Sequence, residues 1–338
     1  MSKMHTSLIN KSTKMFPLTA GGVLAANIKP MRKMKTQNRS LSLPRFVMAL
    51  ALLFVVARLS NATAGTFYVS EPGANKIFTF SGSGGVATVF VSDPSLNHPY
   101  GLAVDGDGNL YSAGNSSSII NKITTNGTIS TYVSGVPNPL GLAFGSGGNL
   151  YASEADGSSK VSKITPSLTI DNNFAFTGAS TVPYGLATDA NGNIYAACYG
   201  SADVKKITPS GSVSTYASGG SSPVGLAFDD LGFLYVSFFN ANAIYKVAPG
   251  GGPFIPFVLS GLSNPYGLTF ANGNLYEVDA GTLSVNQISL SGVVTPFATG
   301  FDSGIAYIAF IPEPSTCALM GAGVFVLTTL RRRMQRGA

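Results

Sequence analysis

The residues with chemistry to offer fall into two regularly spaced sets. The first stands just before a repeated Gly-Leu-Ala segment: Asn97, His98 and Tyr100 ahead of GLAV, Asn138 ahead of PLGLAF, Tyr184 in VPYGLAT, and Asn264 and Tyr266 in NPYGLTF. The second closes a repeated Leu-Tyr type segment: Glu71, Glu154, Cys198 and Asp279. Phenols and amides together suit a sugar, because its apolar ring faces stack on aromatics while its hydroxyls need planar donors and acceptors. Grouped carboxylates suit a divalent cation. Cys198 with His98 would make a nucleophile and its base. The chain has no G-x-S-x-G, H-E-x-x-H or complete P-loop, so no catalytic residue, metal ligand or cofactor is assigned, and a divalent cation at the converging carboxylates stays open as an alternative. A plainer reading stands beside these: Pro-Tyr-Gly as a turn leading into a strand, and the acids as solvated loop residues.

Two other patterns invite a functional reading and have a structural one. DGDGNLY (Asp105 to Tyr111) spaces its oxygens like the start of a calcium loop. Leu110 and Ser116 stand where such a loop needs glycine and glutamate, so a hairpin turn is expected instead. Lys76, Lys122, Lys163, Lys206 and Lys246, with Gln287, precede Ile77, Ile123, Ile164, Ile207, Val247 and Ile288. That column is expected to be a solvated outer face.

The elements that position these residues are set by an internal repeat. Gly101, Gly141, Gly185, Gly225 and Gly267 recur at intervals of 40, 44, 40 and 42 residues, about the length of four short strands with hairpin turns. Each unit reads as strand A (GLAxD), a Gly-Asn turn, strand B (NLYxS), strand C and strand D. The tyrosines Tyr68, Tyr111, Tyr151, Tyr195, Tyr235 and Tyr276 make six units. The first lacks strand A, and DSGIAYIAF (Asp302 to Phe310) supplies a strand A with nothing after it. A closed ring uses both fragments and leaves no open sheet edge, whereas an open solenoid strands them. The expected fold is all-β: a six-bladed β-propeller of four-stranded blades over 65–310, its first blade completed by the C-terminal strand. On this topology the two chemical sets converge at the channel mouth.

The P-x-G-L-A-x-D start and the G-N-L-Y strand resemble the NHL and gluconolactonase-like six-bladed propellers. That resemblance implies the fold, and for the gluconolactonase-like members it implies a divalent metal held by Glu and by an Asn in a Pro-Asn-Gly turn. Here the corresponding turns are Pro-Tyr-Gly, Pro-Leu-Gly and Pro-Val-Gly.

Charge separates the ends from the body. Residues 1–64 hold ten Lys or Arg and no acid, while 65–316 hold seven lysines against fifteen acids, a net charge of −8. An acidic body with basic ends argues against nucleic acid as a partner. The N-terminal part reads as a leader and secretory signal peptide: a basic stretch from Met31, an apolar stretch from Phe46 to Ala57, and Ala62 and Ala64 as the small-x-small cleavage site. A start at Met31 rather than Met1 fits equally well. The second cysteine, Cys317, lies in the tail, which argues against a structural disulfide with Cys198.

The tail 311–338 places Pro312-Glu313-Pro314, an apolar helix from Cys317 to Leu330 and the cluster Arg331, Arg332, Arg333 in that order. Fourteen apolar residues make a short membrane segment, and the arginines after it would stay cytoplasmic. This order of parts resembles the PEP-CTERM sorting signal of Gram-negative bacteria. The resemblance implies an exosortase-type processing enzyme as partner, membrane attachment before processing, and a link to exopolysaccharide or biofilm. The resulting expectation is an exported, cell-surface or matrix-associated binding or scaffold propeller without catalysis, contacting polysaccharide or an envelope protein. The alternatives are a metal-dependent lactonase and a structural spacer whose channel mouth is apolar or plugged.

Overall fold

The structure, a computed structural model, describes residues 65–313. The sequence-predicted signal peptide with Ala62 and Ala64, the C-terminal apolar helix, Pro314 and the arginines 331–333 lie outside the described residues. Among the described residues no helix is long and apolar enough to cross a membrane.

Among the described residues twenty-five strands form six sheets, antiparallel but for one short parallel pairing. Blade 2 shows the plan, with strand A Pro99–Val104, strand B Leu110–Gly114, strand C Ile119–Ile123 and strand D Ile129–Ser134, hydrogen-bonded in that order. Every strand B is buried nearly throughout, from GTFYVSE in blade 1 to NLYEVD in blade 6, because it lies in mid-blade between two neighbouring sheets. Strand D, at the outer rim, alternates or stays exposed, as in ISTYVS of blade 2.

Strand A of blade 1 is Ile308–Pro312, paired with Gly65–Glu71 in the register Val69↔Ile308 to Gly65↔Pro312. The C-terminal strand therefore closes the ring as the sequence predicts, and it runs to Pro312, two residues beyond Phe310. A second clasp is absent from the repeat: Gly85–Val86, between strands C and D of blade 1, pairs in parallel with Ala298 and Thr299 of blade 6. Two contacts in opposite directions along the chain thus join the first blade to the last.

Six clusters of buried side chains fill the six interfaces between blades. Phe67, Val69, Phe78 and Phe80 of blade 1 pack on Tyr276, Val278 and Val285 of blade 6, and Tyr195, Ala197 and Val204 of blade 4 on Leu226, Leu234 and Val236 of blade 5. Burying each Val, Leu or Phe side chain among them contributes about 1.5–3 kcal/mol. Around the axis, the strand A glycines bring neighbouring backbones together. A Cβ on Gly141 would meet the Tyr184 carbonyl, and one on Gly185 the Val224 carbonyl, so only glycine permits this approach.

The DGDGN segment is a hairpin turn. Asp105 Oδ1 accepts from the N–H groups of Asp107 (3.0 Å) and Asn109 (2.8 Å), and Oδ2 from the Tyr111 hydroxyl (3.0 Å). Asp189 and Asp229 repeat this with Tyr195 and Tyr235. The lysine column needs one correction. Lys122, Lys163, Lys206, Lys246 and Gln287 stand opposite the strand B tyrosines, but Lys76 stands opposite Glu71, and Thr79 takes the place opposite Tyr68. Nor is the column simply solvated, since Lys122 and Lys206 lie over the rings of Tyr111 and Tyr195 at 5.4 and 5.8 Å.

Candidate functional site

Strand A begins, and strand B ends, on the face formed by the D-to-A and B-to-C loops. The residue just before the strand A glycine alternates around the ring: Tyr100, Leu140, Tyr184, Val224, Tyr266 and, in blade 1, Ala306. The three aliphatic positions are buried and the three tyrosines half-buried. In blade 1 the glycine position itself is taken by Tyr307, since Ile308 pairs with Val69 as Leu102 pairs with Ser112.

These tyrosines converge on the axis. The rings of Tyr184 and Tyr266, from blades two apart, lie 6.4 Å from each other, and Tyr266 meets Tyr307 edge-on at 5.3 Å. Tyr199 packs on Tyr184 at 5.1 Å, and Phe239 meets Tyr266 at 5.8 Å. Burial, and then the neighbouring phenols Tyr199 and Tyr100, raise the pKa of Tyr184. Burial, followed by Tyr184 and Tyr100, holds Tyr307 well above the usual phenol range. Tyr184 and Tyr307 both stay neutral hydroxyls at physiological pH. The Tyr307 hydroxyl is buried and has no hydrogen-bond partner. A polar group so placed costs about 1–3 kcal/mol unless something satisfies it.

The tyrosine backbones are fixed from the preceding blade. Ser70 Oγ donates to the Tyr100 carbonyl (2.6 Å), Ser153 Oγ to that of Tyr184 (2.5 Å) and Ser237 Oγ to that of Tyr266 (2.5 Å). The same oxygens accept the N–H groups of Tyr307 (3.0 Å), Gly141 (2.8 Å) and Gly225 (2.8 Å). Each serine thereby ties strand A of its own blade to strand A of the next.

The other sequence-predicted residues have separate places. Asn97, His98, Asn138 and Asn264 have positive φ of 50, 58, 37 and 53°, the left-handed geometry of the turns before strand A. Asn75 Oδ1 accepts the His98 N–H and Asn242 Oδ1 the Asn264 N–H, both at 2.7 Å. The carboxylates lie below the surface, each with its own donors. Glu71 accepts from the Ser303 hydroxyl (2.7 Å), Glu154 from Ser158 (2.8 Å) and Ser162 (2.5 Å), and Asp279 from the N–H groups of Ser263 (2.9 Å) and Thr282 (3.0 Å). Among the described residues no three His, Cys, Asp or Glu side chains cluster as metal ligands would. Cys198 is fully buried; burial, then the charge of Asp203, pushes its thiol up to about 12, so it is no nucleophile.

Three residues escaped the sequence reading. Tyr199 and Tyr307 join the tyrosine cluster, and Glu277 is a buried carboxyl one residue before Val278 in strand B of blade 6. Aligning Ile308-Ala309-Phe310 on the Leu-Ala-Phe of other blades would have put Tyr307 on the glycine position.

The sequence profile of the virginiamycin B lyase family matches residues 86–307. No curated protein matches the sequence. Among solved structures, the virginiamycin B lyase of Staphylococcus aureus shares 23% identity over 60% of this chain and 70% of its own, with a TM-score of 0.52. A chain of the nidogen–laminin complex shares 19% over 73% and 98%, with a TM-score of 0.62. A gluconolactonase from Xanthomonas campestris shares 17% over 62% and 78%, with a TM-score of 0.54. At these identities the structural likeness speaks for the fold alone.

Proposed function

The chain belongs to the virginiamycin B lyase family, and from that premise we propose that it is an exported propeller that binds a polyhydroxylated ligand on its tyrosine face. The observation that carries the reading is the convergence of Tyr100, Tyr184, Tyr266 and Tyr307 on the axis, with one buried hydroxyl still lacking a partner. With Tyr307 buried against Tyr266, a ligand would rest across the half-buried tyrosines. A shallow platform of half-buried phenols suits a chain molecule such as an exopolysaccharide, which offers apolar ring faces and hydroxyls along its length. The ends of the sequence support export: the signal peptide brings the body across the membrane, and the Pro-Glu-Pro motif, apolar run and arginines would hold it at the cell surface until an exosortase-type enzyme processes it. The test is binding of the mature protein to the producing cell's own exopolysaccharide. Combined alanine substitution of Tyr100, Tyr184 and Tyr266 is expected to abolish retention; unchanged retention would sink the carbohydrate reading.

A second reading, a lyase acting on virginiamycin B, is favoured by the family match itself. A histidine-to-alanine variant of the Staphylococcus enzyme is described as catalytically inactive. Between residues 65 and 313 this chain has one histidine, His98, exposed in a turn and with no metal-ligand cluster beside it. Incubation with virginiamycin B and with a lactone panel separates the readings. Cleavage of virginiamycin B that depends on His98 would replace the binding proposal by the lyase, and lactone turnover would restore the lactonase.

A further inference from the structure

We propose that the face carrying the A-to-B and C-to-D turns is the one apposed to the lipid bilayer, so that the tyrosine face points away from the cell. The inference rests on the reading of the C-terminal tail as membrane-held, and adds to it a direction that the fold supplies. Strand A runs from the tyrosine face to the turn face in every blade, and the last strand, Ile308–Pro312, is a strand A. The chain accordingly leaves the propeller on the turn face. Gly65 stands opposite Pro312, so the N-terminal side of the chain enters on the same face, beside the axis. Both junctions with membrane-directed sequence lie side by side at the closing strand pair.

The tether is too short to permit another orientation. Only residues 314–316 separate Glu313 from the apolar run that begins at Cys317. Three residues reach at most about 11 Å when fully extended, less than the height of a single five-residue strand, roughly 17 Å. A body held so closely near the centre of one face cannot turn its opposite face to the bilayer. The turn face also carries apolar tips where turns are ordinarily polar: Leu168, Leu231, Leu290 and Val293 are 48, 74, 48 and 58% exposed. Phe176 and Leu259 are the exposed large apolar residues toward the tyrosine side, at 56 and 59%. Asp107 and Asp230, exposed on the turn face, oppose adsorption to anionic headgroups, so the tether sets the orientation and the apolar tips accommodate it.

Energy transfer to a headgroup-labelled acceptor lipid tests this, with the full chain carrying Cys317→Ser reconstituted in vesicles of zwitterionic lipid. One donor dye is placed at Asn191→Cys, in an A-to-B turn, and another at Ser116→Cys, in a B-to-C loop on the tyrosine face; both sites are exposed. Transfer is expected to be roughly twofold higher or more from the Asn191 position, given the strand height between them. A flexible insert of about 20 Gly/Ser residues after Thr316, with an r.m.s. reach of about 25 Å, should remove most of that difference. Equal or reversed transfer in a chain that co-floats with the vesicles overturns the orientation alone. A difference that survives the insert overturns the tether as its cause. A chain that fails to co-float overturns the membrane-held tail and this inference with it.

Discussion

Blades 1, 3 and 5 hold their neighbours differently from blades 2, 4 and 6. Two residues after the strand B tyrosine, the odd blades have Ser70, Ser153 and Ser237, and the even blades Ala113, Ala197 and Val278. Each odd-blade serine bridges two backbones, and the backbone it reaches in the next blade belongs to Tyr100, Tyr184 or Tyr266. The even blades, lacking a bridge, meet their successors through Leu140, Val224 and Ala306, all buried. The ring is six-fold in backbone and three-fold in chemistry. The repeated glycine is demanded by close packing in nearly every blade, while the serine and tyrosine are paired across alternate interfaces, which ties the tyrosine platform to specific hydrogen bonds rather than to the fold in general.

If the glycines serve packing alone, replacing one should be costly in whichever class of blade it sits. A Cβ on Gly225 would collide with the Tyr266 carbonyl and lie 2.8 Å from Ser237 Oγ. On Gly101, in an even blade, it would collide with the Leu140 carbonyl and lie 2.8 Å from the Leu142 nitrogen. Gly225→Ala and Gly101→Ala are each expected to lower unfolding free energy by about 3 kcal/mol or more, since backbone cannot move aside as a flexible side chain does. Denaturant titration checks this, and a mild effect in the even blade alone would make the glycine, too, part of the alternation.

Blade 6 sharpens the comparison because its polar residue is displaced by one position. Val278 stands where an odd blade has serine, and Glu277 points to the opposite side of the sheet, toward blade 5, as Leu275 does. Its Oε2 accepts from Asn286 Nδ2 at 3.0 Å, and its Oε1 has no partner. Burial pushes the carboxyl up to about 8; the Asn286 hydrogen bond opposes this and the charge of Asp279 adds to it. The folded value lies above the ordinary 4.5, so the folded state keeps a proton that the unfolded chain releases. Stability from this group is complete below pH 4.5 and is lost as pH rises to about 8, at up to about 1.4 kcal/mol per pH unit. Melting temperature should fall across that window, and Glu277→Gln should flatten the slope.

The fold was legible because it is repeated. Five glycines and six tyrosines at steady spacing settle the blade, and two fragments at opposite ends settle the closure. The site was legible only where it follows the repeat. Tyr100, Tyr184 and Tyr266 sit at one repeat position, whereas Tyr307 escaped because it breaks the rule that places glycine there. Lys76 stands outside the lysine column although Lys-Ile matches the other blades by letter, because its register lies three residues away. The burial of Glu71 and Asp279 has no local signal, since Ser303 and Ser263 reach them from other loops, whereas Glu154 takes its donors Ser158 and Ser162 from its own hairpin.

The serine bridges give the most direct way to break the odd–even contrast. Ser153→Ala leaves the Gly141 N–H and the Tyr184 carbonyl without their shared partner, at a cost of about 1–3 kcal/mol. In the opposite direction, Ala197→Ser introduces a hydroxyl at an interface built without a bridge. If the bridge is a property of the odd interfaces, Ala197→Ser stabilises nothing, and thermal melting of the two variants shows a loss in the first without a gain in the second. A gain in the second would mean that any interface can accept the bridge, and that the alternation reflects the tyrosines rather than the backbone.

Tyr307 gives the smallest effect and the sharpest one. Its ring is held by Tyr266, so Tyr307→Phe keeps the packing and removes only the hydroxyl. In the free protein that oxygen is buried without a partner, and its loss should raise stability by about 1 kcal/mol, because an unsatisfied group no longer has to be kept from water. If the same hydroxyl is what a ligand satisfies, the variant should bind the polysaccharide more weakly while melting at a higher temperature. Stability and affinity then move in opposite directions, which a purely structural tyrosine would not produce. Equal affinity at higher stability would leave the three even-blade tyrosines as the whole of the platform and make Tyr307 a packing residue of blade 1.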